Sequence, residues 1–150
     1  TITFLVEKYK IVPSTLKLEI TETAIMTGTA GEIEIIEQFR KYGFEVEIDD
    51  FGSGYSSLNM LKDVKVDALK LDRVFFESGD NDERGKDIIQ SVIKLAQALD
   101  LHTISEGVEE RKQVEFLKEM HCDLIQGYVF AKPMPVPEFE QLAFGTEAAD

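Results

Sequence analysis

The chain has 150 residues, of which 43% are hydrophobic and 30% charged, a composition that suits one globular unit with a real core. A net charge of −13, with no Lys/Arg cluster, argues against duplex DNA or RNA as a partner. No apolar run is long enough to span a bilayer, nothing at the N-terminus reads as a signal peptide, and the lone Cys122 has no disulfide partner, so a reducing compartment, the cytoplasm, is expected.

The chain opens at Thr1 without an initiator Met and reads as a piece of something longer. Ile2, Leu5, Val6 and Tyr9 fall at helical spacing, and Pro13 and Ser14 break that period. Residues 16–20 then predict a strand that ends at Thr21 and Glu22. Residues 31–42 predict a helix, with Gly43 placed to end it. The alternation repeats as strand 45–49 and helix 55–62, 68–72 and 86–99, 102–106 and 109–120, and 124–128 and 136–142. That makes five βα units, joined by short connections apart from the polar stretch 77–85.

Within them, EVEIDDFGSGYSSL at 45–58 changes character abruptly: Val46 and Ile48 alternate as in a strand, then Asp49 and Asp50 open a turn. Gly52 and Gly54 allow a sharp bend and close approach to a ligand, while Ser53, Ser56 and Ser57 can cap the helix that follows. Repeated βα units predict parallel strands, and Gly52-Ser53-Gly54 lacks the third glycine of a dinucleotide-binding turn. A TIM-barrel-like α/β fold is preferred, because each strand ends in a polar or acidic residue where it leads into its helix. A full barrel takes about 250 residues, so five units form part of one.

Glu19, Asp49, Asp72, Glu106 and Gln126 close successive strands, and Lys70 shares a strand face with Asp72. Carboxylates gathered at one rim repel one another unless cations are bound, which predicts an oxygen-ligand site for Mg²⁺ or Mn²⁺. His102 and His121 are isolated, so zinc is disfavoured.

DDFGSGYSSL resembles the DDFGTGYSSL loop of the EAL domain, the bacterial cyclic di-GMP phosphodiesterase, with Ser53 in place of Thr. LEITE at 18–22, DALKLD at 67–72, SEGVE at 105–109 and QGYVF at 126–130 follow the family's order. The resemblance implies that residues 1–150 are the C-terminal portion of one such domain, since the Glu-Ala-Leu tripeptide and the Asn-bearing strand have no counterpart in them. It implies a two-metal site in which Glu19, Asp49, Asp50 and Asp72 serve Mg²⁺ or Mn²⁺, Glu106 is the general base and Lys70 holds the attacking water. By the same resemblance Glu22 anchors the loop of Gly52, Ser53 and Gly54, Glu109 is a supporting acid, and Gln126 belongs to the site.

The implied function is hydrolysis of cyclic di-GMP to linear pGpG, with the isolated chain inactive; a non-catalytic cyclic di-GMP-binding module is the alternative. Acids on successive strand ends beside a lysine also resemble enolase-type enzymes, a reading that the phosphodiesterase motifs outweigh. Missing strands would leave open sheet edges, so a homo-oligomer, such as a swapped dimer, is expected. Glu47 replaces the family's usual small apolar residue, and Lys17 is expected to approach it beneath the rim, since a lone buried charge is costly. Tyr128 and Phe130 are expected to be packing residues.

Overall fold

The computed structural model describes residues 1–52, 58–76 and 83–145. Its centre is a five-stranded parallel sheet: β1 (Lys17–Thr21), β2 (Glu45–Phe51), β3 (Ala68–Leu71), β4 (His102–Ser105) and β5 (Leu124–Ile125). The strands lie side by side in chain order. A doubly wound sheet reverses its strand order at a switch point; an unreversed sequence of right-handed crossovers puts every helix on one face, as in a barrel wall.

Helix α1 (Ile2–Tyr9) precedes the sheet and buries only Val6. Helix α2 (Glu22–Thr27), which no apolar period announces, starts directly after β1, where the Thr21 hydroxyl accepts a hydrogen bond from the Ala24 N–H. Helix α3 (Ala30–Tyr42) ends, as expected, at Gly43, whose φ of 111° places it in the left-handed region. The remaining helices are α4 (Leu58–Asp63), α5 (Glu83–Ala98), α6 (Arg111–Glu119) and α7 (Val136–Phe144). The expected helix 55–62 falls partly outside the described residues, as does much of the polar stretch 77–85. Pro135 caps the start of α7.

The core lies between the sheet and these helices. Val46, Ile48, Phe51, Leu69 and Leu71 meet Ile36 of α3, Leu61 of α4, Ile89 and Ile93 of α5, and Val114 and Leu117 of α6. Alternation sends the intervening residues, Lys17, Glu19, Glu45, Glu47, Asp49 and Lys70, to the opposite face, and the register sets Glu19 beside Glu47 and Glu47 beside Ala68. One face of the sheet is therefore oily and the other charged.

Where the strands begin, two aspartates fasten the sheet. Asp67, just before β3, accepts the Nε–H and Nη2–H groups of Arg40 at 3.0 and 2.7 Å and the Val46 N–H at 2.9 Å. Asp123, just before β5, accepts the Thr103 N–H at 2.8 Å and the Thr103 hydroxyl at 2.9 Å. Each carboxylate ties its own strand to the one before it.

Two expectations are corrected. Lys17 pairs with Glu45, and its side chain is 43% exposed, so it does not shelter beside Glu47, which is 5% exposed. The reason is geometric: Lys17 stands opposite Glu45 at the open edge of the sheet, where a long cation reaches water without entering the interior. Tyr128 and Phe130 are 55% and 56% exposed, because they follow β5, beyond which no further described strand pairs. Among the described residues, no helix is long and apolar enough to cross a membrane.

Candidate active site

The ammonium of Lys70, on β3, is the centre of the charged rim. Its side chain is only 5% exposed, and Nζ lies 2.6 Å from Glu19 Oε1, 2.9 Å from Glu106 Oε1 and 3.0 Å from Asp49 Oδ1. Four residues from four adjacent strand ends thus share one point. Burial works against the charged form of Lys70, but the hydrogen bond to Glu19 and the ion pairs with Glu106 and Asp49 prevail and hold its pKa well above the usual lysine value. Burial drives the Glu106 carboxyl above its ordinary value against the pull of Lys70, with repulsion from Asp49 and Glu19 adding to it.

Asp50 reaches the same rim by a distortion. Ile48 pairs with Leu69 and Phe51 with Leu71, so two residues of β2 stand against one of β3, an insertion of one residue, and Asp50 adopts a φ of 56°. In a regular strand Asp49 and Asp50 would point to opposite faces, and Phe51 would be turned from the core. The bulge returns Phe51 to the helices and leaves both aspartates half-buried at the strand end. Burial, then Asp49, then Asp72 raise the Asp50 carboxyl above its usual range, which places Asp72 next to it. Asp72 also accepts the Val74 N–H at 2.7 Å, starting the 3-10 turn Arg73–Phe76.

Glu22, 3% exposed at the start of α2, accepts the Gly52 N–H at 3.1 Å and so holds the segment that leaves the bulge. Ser53 and Gly54 lie outside the described residues. Glu109 and Gln126 do not join the Lys70 cluster; both are exposed and line a cavity of about 650 Å³ with Arg73, Gly107, Tyr128 and Lys132.

A sequence model of the EAL domain family matches residues 1–133. The chain belongs to the EAL domain family. Over 126 residues this EAL chain is 44% identical to the cyclic di-GMP phosphodiesterase NbdA of Pseudomonas aeruginosa, covering 84% of this chain and 16% of that protein. The chain spans 16 to 37% of the length of the first curated relatives it matches. Its fold superposes on the PaMucR phosphodiesterase in complex with c-di-GMP with a TM-score of 0.85 at 35% identity, covering 92% of this chain and 56% of that one. It superposes on a manganese/cy-diGMP complex of Klebsiella pneumoniae BlrP1 with a TM-score of 0.78 at 27% identity, covering 88% of this chain and 34% of that one. The sheet is therefore part of a TIM-barrel-like EAL fold.

Among the described residues, no three carboxylate, imidazole or thiol groups are already arranged around one metal position. The Lys70 ammonium holds the point on which Glu19, Asp49 and Glu106 converge. The donors fit a hard divalent cation in type, since all are carboxylate oxygens, and the pair Asp49–Asp50 with Asp72 beside it is where added positive charge would relieve repulsion. The bulge was legible in principle: Ile48 and Phe51, both apolar and three residues apart, can share a face only if the alternation between them is broken.

Proposed function

We propose that the chain supplies the carboxylate rim of a divalent-metal-dependent phosphodiesterase that opens cyclic di-GMP to linear pGpG, and that residues 1–150 form the C-terminal portion of that domain. The observation that carries this reading is the Lys70 ammonium held by Glu19, Asp49 and Glu106 at adjacent strand ends. The names of the relatives and the manganese complex of BlrP1 support the substrate and the metal class.

Glu19, Asp49, Asp50 and Asp72 would hold the cation, either Mg²⁺ or Mn²⁺. When bound, such an ion neutralises charge on the phosphodiester and makes a water more acidic. Glu106, whose carboxyl is raised above its ordinary value by burial, takes the proton of the attacking water. Lys70 donates hydrogen bonds that orient that water and the Glu106 carboxylate, and its buried charge offsets the surrounding acids. Glu22 steadies the loop of Gly52, Ser53 and Gly54, while Glu109 and Gln126 line the cavity that receives the substrate. In isolation the 150-residue chain should be inactive and associate with a second copy across its open sheet edges. A cytoplasmic setting fits the half-buried, unpaired thiol of Cys122.

The test is hydrolysis of cyclic di-GMP by the parent protein with Mg²⁺ or Mn²⁺, set against Glu106→Ala. A loss of at least about a hundredfold in kcat is expected. Undiminished turnover by Glu106→Ala, or an inactive parent protein that binds cyclic di-GMP, would overturn the reading.

A further inference from the structure

We infer that the 3-10 turn Arg73–Phe76 is a wedge that fixes the Asp49–Asp50 bulge and Glu106 relative to one another, with Phe75 as its positioning residue; this rests on the phosphodiesterase reading above. The ladder between β2 and β3 lapses between Ile48 and Phe51, so β3 fixes neither aspartate; Asp49 keeps a partner in Thr21 of β1, and Asp50 pairs with neither neighbouring strand. The β3 side of the bulge must be held from outside the sheet.

Gly52, immediately after β2, is gripped from two sides. Its N–H donates to Glu22 Oε2 at 3.1 Å. The Phe75 ring presses on its backbone: a Cβ at Gly52 would lie 2.5 Å from Phe75 Cε2 and closer still to Cζ. Gly52 also has a φ of 94°, so it combines a left-handed backbone with no room for a side chain. The other end of the turn meets the residue that follows Glu106. Gly107, next to Glu106, has a φ of 64°, and a Cβ there would lie 2.5 Å from Arg73 Cβ.

The turn itself is pinned to the sheet. The Asp72 N–H donates to Phe51 O at 3.3 Å, the Phe75 N–H to Asp72 O at 3.3 Å, and the Val74 N–H to Asp72 Oδ1 at 2.7 Å. The Glu106 N–H donates to Leu71 O at 3.0 Å. One short turn therefore touches Gly52, two residues past Asp50, and Gly107, next to Glu106, and a stiff aromatic ring fills the space against the bulge. Shrinking that ring loosens Asp49 and Asp50 while leaving every site carboxylate in the sequence.

The experiment compares Phe75→Ala and Phe75→Leu with the wild-type parent protein. Mn²⁺ binding is measured by calorimetry without substrate, cyclic di-GMP hydrolysis at saturating Mn²⁺, and folding by thermal melting. Phe75→Ala should weaken Mn²⁺ binding by about ten- to a hundredfold, the range seen when supports of metal ligands are removed. Phe75→Leu, which refills most of the volume, should stay within about threefold of wild type. Unchanged Mn²⁺ affinity in a folded Phe75→Ala protein, with only its melting temperature lowered, would overturn the inference. If Phe75→Ala does not fold, Phe75→Val takes its place with the same two outcomes. A wild-type parent that neither binds Mn²⁺ nor cleaves cyclic di-GMP sinks the underlying reading instead.

Discussion

The two rims of the sheet use the same side chain in opposite ways. Where the strands begin, Asp67 and Asp123 are opposed by burial, yet hydrogen bonds from Arg40 and the Val46 N–H, and from Thr103, hold their pKa values below the ordinary aspartate range. Where the strands end, Asp50 and Glu106 are raised by burial and by neighbouring acids. Backbone donors and cations surround the first pair; a single buried cation is shared among several acids at the second. The lower rim stabilises the fold, and the upper rim stores unbalanced negative charge that a bound cation would relieve.

That contrast is broken most severely at Lys70. Lys70→Met leaves Glu19, Asp49 and Glu106 without their shared cation, and should cost about 3–5 kcal/mol in denaturant unfolding without metal, the range for a buried charge stripped of its partner. Adding Mn²⁺ should recover part of that loss in the parent protein. If unfolding is unchanged, the hub contributes nothing to stability.

At the other rim, Asp67→Ala strands the Val46 N–H and frees Arg40, and should cost about 1–3 kcal/mol while leaving turnover per folded molecule intact. The same residue gives the contrast a pH signature. Because the folded pKa of Asp67 is depressed, its contribution is complete above the unfolded value of about 3.9 and is lost as pH falls through the lower folded value. Acid unfolding of Asp67→Asn should lack that limb. The raised groups act in the reverse sense: the stability contributed by Asp50 and Glu106 is present below their unfolded values and is lost as pH rises through the folded ones. Metal-free stability should therefore peak in mild acid, and a flat profile from pH 4 to 8 would contradict this.

The smallest effect concerns Glu47, a buried carboxylate raised by desolvation against the pull of Lys17 and Lys70. Glu47→Val should stabilise the fold by about 1 kcal/mol, since an apolar residue removes the cost of burying that acid. A loss of stability on chemical denaturation would show that Glu47 balances Lys70.

Much of this was legible in the order of the residues. Alternating strand and helix periods announced five parallel units, Gly43 marked a helix end by its need for a left-handed backbone, and acids at the strand ends pointed to one rim. Helix α2 was not legible, because six residues carry too little periodicity and Thr21 starts the helix through a cap. The partner of Lys17 was missed because strand parity says which face a side chain takes, not whether water lies within its reach. The burial expected of Tyr128 and Phe130 failed because aromatic character does not reveal whether a neighbouring strand is present.

The sequence by itself determined the parallel βα alternation, the family and the identity of the charged residues, since these depend on local periodicity and on side-chain type. Only the tertiary structure decided that Lys70 sits among three carboxylates, that a bulge turns Asp50 to the rim, and that Phe75 presses on Gly52. Those contacts join residues far apart in the chain, and their geometry is fixed by register and packing, which no local pattern encodes.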